Sequence, residues 1–277
     1  MEAQTVRDVC ALPLARRLAA MVDRDPLSLS EGQALPRGWH VMLFNVPTVQ
    51  STLRSDGSAD LGVELPDIGF PRLMLGGRQM TFRGDIPIGA RVRRETRQGP
   101  LEMKNGRSGR FALVRVEHQI LVEEQPHAVV IETNDYVLRP ANDEPLAAVA
   151  ESNSESDSVT APLAAAAAVR TIVPDTRLLF RYSAITDNPH RIHYDLPYAT
   201  QVEGYPTLVV NGSIPGIYLL ELFRLTVGRE PLLFSSRNIA PMYCDRELTL
   251  CLQPDGAEWR LWAQDPAGKT TFDARAA

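Results

Sequence analysis

Between Phe180 and Gly212 the sequence is dense in side chains that can move protons. His190 and His193 stand three residues apart, with Asp187 and Asn188 before them and Asp195 after. An imidazole beside a carboxylate or an amide can hold a water molecule between them and take a proton from it near neutral pH. Further on, Asn211-Gly212 opens a long apolar stretch ending near Val227. A glycine at a helix N-terminus presents backbone N–H groups, aided by the helix dipole, to an oxygen that gains negative charge. His193 is therefore the candidate base, Asp187 and Asn188 its candidate partners, and Gly212 the candidate oxyanion donor.

The neighbours carry two readings each. His190 orients the loop or touches substrate. Arg191 meets a carboxylate or phosphate of a ligand, or makes a surface ion pair. Tyr182 and Tyr205 read as walls of a site rather than acids, and Asp195 as a loop cap. The His190/His193 pair has no third ligand at a familiar spacing, so no metal is expected. Ala263 with Gly268-Lys269-Thr270 fits a relaxed phosphate-loop pattern. Such a loop must feed a helix, and here a turn at Asp265-Pro266-Ala267-Gly268 is expected instead.

These residues need a scaffold. Residues 1–25 show apolar positions Leu14, Leu18, Met21 and Val22 at helical spacing. Trp39 to Pro47 is rich in strand formers, and 58–75 reads as loop. Strands are expected at 78–82, 90–98, 110–121 and 128–138, then at 171–183, 232–240, 247–253, 258–263 and 270–274. Leu208 to Val227 reads as a helix apolar around much of its circumference. Residues 141–170, acidic, serine-rich and ending in an alanine run, suit a solvated linker. The organisation expected is a unit at 1–140, the linker at 141–170 and a unit at 171–277. Each unit would be a curved antiparallel sheet around a central helix.

Over its 277 residues the chain has 44% hydrophobic and 23% charged residues and a net charge of −5, an ordinary globular composition. That balance lacks the basic face a nucleic-acid binder needs. Three cysteines with no CxxC pair argue against a disulfide framework. Without a signal-peptide pattern or a membrane-length apolar run, a cytoplasmic protein with no membrane partner is expected.

The stretch Tyr182-Ser183-Ala184-Ile185-Thr186 leading into His190-Arg191-Ile192-His193-Tyr194-Asp195, then Glu203-Gly204-Tyr205-Pro206, resembles the hydratase-2 signature of MaoC-like hydratases and dehydratases. It is most similar to the branch holding hydroxyacyl-thioester dehydratases and the itaconyl-CoA and mesaconyl-C4-CoA hydratases. Phe70 to Arg78, Pro87-Ile88-Gly89 and Lys104 to Gly109 resemble the degenerate N-terminal half of the same proteins. The resemblance implies an α+β double hot-dog fold and a hydro-lyase that adds or removes water across the α,β-bond of an acyl thioester, short and branched or dicarboxylic. It implies no cofactor beyond the coenzyme A or acyl-carrier phosphopantetheine of the substrate, an acyl carrier protein as an alternative partner, and a homodimer as a further expectation. His193, Asn188 and Asp187 would be catalytic; Gly212, Asn211, Arg191, His190 and Tyr205 would bind substrate. Asn188 stands where the wider family has its catalytic Asp, and Asn211 where the family has His. Two other readings therefore stay open: a recruited enzyme of cyclisation or isomerisation, and a non-catalytic thioester-binding module.

Overall fold

The computed structural model describes residues 4–58, 68–70, 72–106, 109–123, 125–140 and 166–277. Among them, ten strands form one antiparallel sheet: β1 (Gln4–Val9), β2 (Arg72–Phe82), β3 (Arg91–Gly106), β4 (Gly109–Val122), β5 (Val130–Arg139), β6 (Ala168–Ile172), β7 (Leu233–Asn238), β8 (Leu248–Asp255), β9 (Glu258–Gln264) and β10 (Thr270–Ala276). Their order, β1-β3-β4-β5-β2-β7-β10-β9-β8-β6, is the same five-strand pattern twice, reflected about the β2–β7 seam. That seam is a backbone ladder from Gly77 opposite Arg237 to Thr81 opposite Leu233. The strands alternate as a half-buried sheet should. In β4, Ala112, Val114, Val116, His118 and Ile120 are buried and point to one face.

Among the described residues there are three helices, α1 (Leu12–Met21), α2 (Thr176–Thr186) and α3 (Ile214–Val227); α3 packs on strands β6, β8 and β9, and α1 and α2 pack on each other. Helix α3 is buried from Ile214 to Phe223, as its apolar circumference requires. Gly216 lets it approach the sheet, since a Cβ there would lie 3.3 Å from the Phe272 ring. Gly228, at φ 75°, closes the helix, donating its N–H to the Arg224 carbonyl. In the first half a 3-10 turn, Trp39–Met42, packs against α3. Its Trp39 and Met42 are fully buried, and the Trp39 indole donates to Glu221 Oε1 of α3 at 2.9 Å. Among the described residues, the first half has no helix as long as α3.

Several sequence expectations need correction. Residues 171–183 are not one strand: β6 ends at Ile172 and α2 begins at Thr176. Asp175 caps α2, accepting from the Leu178 N–H at 2.9 Å, and Leu179, Tyr182 and Ile185 form its buried face. β1 precedes the first helix, β2 begins at Arg72 inside the expected loop, and Trp39 opens a 3-10 turn rather than a strand. Residues 168–170, assigned to the linker, belong to β6; 141–165 lie outside the described residues. The phosphate-loop look-alike is a hairpin turn, with the Gly268 N–H donating to the Asp265 carbonyl at 2.9 Å.

Candidate active site

Helix α2 ends at Asp187, which adopts the left-handed conformation (φ 47°) that short polar side chains tolerate. The chain then crosses a long connection to α3 that carries His190, His193, Tyr205, Asn211 and Gly212. Ion pairing and stacking pin this connection. Arg191 pairs with Asp195 at 2.9 Å, and its guanidinium carbon sits 4.1 Å from the Tyr198 ring centroid. The Arg191 backbone N–H donates to the Asp56 carbonyl at 2.8 Å, and its side chain also reaches the Ser55 carbonyl.

A cavity of about 840 Å³ opens between this connection and the first half of the chain. Of the expected site residues, Asp187, Asn188, His190, His193, Tyr205, Asn211 and Gly212 line it. Arg191 does not: its charge is matched by Asp195, and it braces the loop instead of facing a ligand.

His193 is buried, and its Nδ1 lies 2.7 Å from the Val209 carbonyl oxygen. A carbonyl only accepts, so Nδ1 carries the proton and Nε2 presents a lone pair. Burial pushes the His193 imidazole down to about 3, with the Val209 hydrogen bond acting in the opposite direction. The ring is therefore neutral across the physiological range, with the Nε2 lone pair free. His190 packs edge-on, ring centroids 5.4 Å apart, and is also lowered by burial. Asn188 Oδ1 accepts the His190 backbone N–H at 3.2 Å, leaving its amide NH₂ for the cavity. Among the described residues no carboxylate hydrogen-bonds His193. Asp187 is exposed at the cavity edge.

At the other side, Gly212 precedes α3. Its backbone N–H makes no hydrogen bond among the described residues. Asn211 is 2% exposed, and neither polar atom of its side chain has a partner there. A buried amide left without partners is costly and is satisfied by whatever enters the cavity. Asn238 of β7 stands against Gly212 and donates to the Leu75 carbonyl at 3.2 Å.

The first half contributes residues that the sequence reading missed: Arg78, Arg94, His118, Glu132, Asn134 and Tyr136 also line the cavity. Their signal is a polar side chain standing where strand alternation demands an apolar one, as His118 does between Val116 and Ile120. Burial pushes His118 down to about 4, and its Nδ1 lies 2.9 Å from Thr96 Oγ1.

His193 and His118 make a shared prediction about acid. Both fold neutral, with values below the ordinary 6.5 they regain when unfolded. Below pH 6.5 the unfolded chain binds protons that the folded chain refuses, so stability falls as pH falls. Each histidine removes up to about 1.4 kcal/mol per pH unit until its folded value is reached. Urea unfolding should therefore show about 3 kcal/mol less stability at pH 5 than at pH 6.5, from these two groups. Equal stability at the two pH values would contradict the placement of both rings.

Fold and site together define a double hot-dog hydro-lyase of the MaoC-like class. The chain belongs to the hydroxyacyl-thioester dehydratase type 2 family, whose model matches residues 38–244. It is 39% identical over 274 residues to the mesaconyl-C(4)-CoA hydratase of Chloroflexus aurantiacus, covering 98% of this chain and 93% of that one. It is 34% identical to the mitochondrial hydroxyacyl-thioester dehydratase type 2 of Schizosaccharomyces pombe over 89 residues, covering 31% of this chain and 30% of that one. Among solved structures, a MaoC-like dehydratase from Phytophthora capsici superposes with a TM-score of 0.72 at 12% identity, covering 100% of this chain and 95% of that one. A Mycobacterium tuberculosis protein with a double hot-dog fold superposes with a TM-score of 0.62 at 14% identity, covering 100% and 94%. Among the described residues no helix is long and apolar enough to cross a membrane.

Proposed function

We propose that this protein adds water reversibly across the α,β-double bond of an enoyl-CoA thioester, with His193 as the base. The observation that carries the assignment is the pairing of two groups in one cavity. One is a neutral imidazole locked by Val209 with Nε2 unprotonated; the other is the Gly212 N–H, which makes no hydrogen bond among the described residues.

The substrate's thioester carbonyl accepts from the Gly212 N–H. Water lies between His193 Nε2 and the Asn188 amide. As its oxygen bonds to the β-carbon, a proton passes to Nε2 and the double-bond electrons move onto the thioester enolate, which the Gly212 N–H stabilises. The imidazolium then returns a proton to the α-carbon, and carbon–oxygen bond cleavage in reverse gives dehydration. The thioester itself acidifies the α-carbon, so these steps need no cofactor. Asn211 supplies the amide contact that its unpartnered atoms lack. Coenzyme A as the handle is supported by the Chloroflexus relative, whose substrate is a CoA thioester.

The test is purified protein with crotonyl-, itaconyl- and mesaconyl-C4-CoA, and with a crotonyl-acyl carrier protein, followed by loss of the conjugated-thioester absorbance. Turnover of at least one CoA thioester, exceeding that of the carrier-bound form, is expected. No turnover by folded protein would overturn the assignment.

Gly212→Ala probes the oxyanion donor. The new Cβ would lie 3.0 Å from both polar atoms of the Asn238 side chain, so Asn238 or the turn must shift. A displaced donor should lower kcat about tenfold to a hundredfold, measured on the best CoA substrate. An unchanged kcat would place the donor elsewhere.

A further inference from the structure

The first half of the chain lays a polar row across the cavity floor. Strand pairing sets Thr96 of β3 opposite His118 of β4, and His118 opposite Glu132 of β5; Asn134 of β5 stands opposite Arg78 of β2. Arg78 is matched within this row. Its Nε donates to Asn134 Oδ1 at 3.0 Å and lies 3.4 Å from Glu132 Oε1. Glu132 also takes the His40 imidazole at 2.8 Å.

Arg94 of β3 is not matched. Its Nε is buried without a partner, and among the described residues its guanidinium makes no hydrogen bond or ion pair. Its guanidinium carbon sits 5.5 Å from the centroid of the Phe44 ring. Burial lowers its pKa, with Glu132 acting in the opposite direction from farther off. His118, held near 4, is neutral and adds no charge. The row thus holds two guanidinium groups against one carboxylate. Arg94 is half-buried, and its charge has no carboxylate partner within hydrogen-bond reach among the described residues, so a ligand that brings an anion into the cavity is favoured there.

The row also connects to the reacting end. Arg78 Nη1 donates to Ser213 Oγ at 3.3 Å, one residue beyond Gly212. An acyl group whose carbonyl meets Gly212 therefore runs over this row. We propose that Arg94, with Arg78 beside it, binds a carboxylate at the far end of the acyl chain, which makes the substrate the mono-thioester of an unsaturated dicarboxylic acid.

The inference rests on the hydro-lyase assignment above, and its test separates the two. kcat/KM is measured for mesaconyl-C4-CoA, for its neutral carboxamide analogue of equal length, and for crotonyl-CoA. The unaltered protein should favour the carboxylate over the carboxamide by about tenfold to a hundredfold, the scale of one charge-assisted hydrogen bond. Arg94→Met should bring that ratio near one, and Arg94→Lys should restore part of it. Turnover of crotonyl-CoA or the carboxamide without a carboxylate preference overturns the Arg94 assignment and leaves the lyase standing. So does an unchanged ratio in folded Arg94→Met. No turnover of any of the three overturns both. Should Arg94→Met fail to fold, the ratio in the unaltered protein decides alone.

Discussion

His193→Gln is expected to lower kcat by about 10²- to 10⁴-fold, the usual worth of a positioned general base, with KM changed much less. Glutamine keeps an NH₂ that can donate toward the Val209 carbonyl, now bonded to Nδ1 at 2.7 Å. It cannot accept a proton from water. The binding surface and the Gly212 N–H stay in place, so the loss falls on the step that moves the proton. Steady-state kinetics on the best CoA thioester checks this, with circular dichroism confirming the fold. A kcat within threefold of the unaltered protein would mean that another group takes the proton, and would favour a thioester-binding role for this imidazole.

The low pKa of His193 adds a constraint. Because its folded value is about 3, the ring does not protonate between pH 5 and pH 8. Any acidic limb in kcat/KM within that window must come from another group or from the loss of folded protein.

Glu132→Ala is expected to cost about 3–5 kcal/mol of stability, as removal of one partner from a buried charge pair does. Burial alone would raise the Glu132 carboxyl, but Arg78 and the His40 hydrogen bond more than reverse this and hold it well below the usual range. The carboxylate also accepts from Asn134 at 2.8 Å. Truncation leaves the Arg78 charge uncompensated and removes the acceptor for two further groups. The midpoint of thermal unfolding should fall on the order of 10 °C for a chain of this size. Glu132→Gln, which keeps the acceptor oxygen but not the charge, should fall between the two. A melting point unchanged in Glu132→Ala would mean that water reaches this row freely.

That His193, Asn188 and Gly212 share one cavity was legible because their signals are local. His193, Asn188 and Gly212 occur in one continuous stretch, and the apolar circumference of Leu208 to Val227 announces a buried helix at the place where Gly212 is needed. Helix α2 was misread because Thr171, Ile172 and Val173 are strand formers that run straight into it. Asp175 at its start, and Leu179, Tyr182 and Ile185 at helical spacing, carried the opposite signal. Arg191 looked like a ligand contact because only tertiary packing brings Ser55 and Asp56 to it. The row of Arg78, Arg94, His118 and Glu132 was hidden for a different reason. These residues lie on four strands, and they become neighbours only through the pairing of β2, β3, β4 and β5. No spacing along the chain encodes that register.

The β2–β7 seam has an evolutionary consequence. Two identical subunits meeting along such an edge would inherit every substitution twice, so a change that suits a new acyl group would also be imposed on the surroundings of the base. Fusion in tandem breaks that obligation. One half can keep the stretch that carries His193 while the other half changes independently. New specificities in this lineage should then accumulate on β2 to β5, far in sequence from the reacting groups they serve.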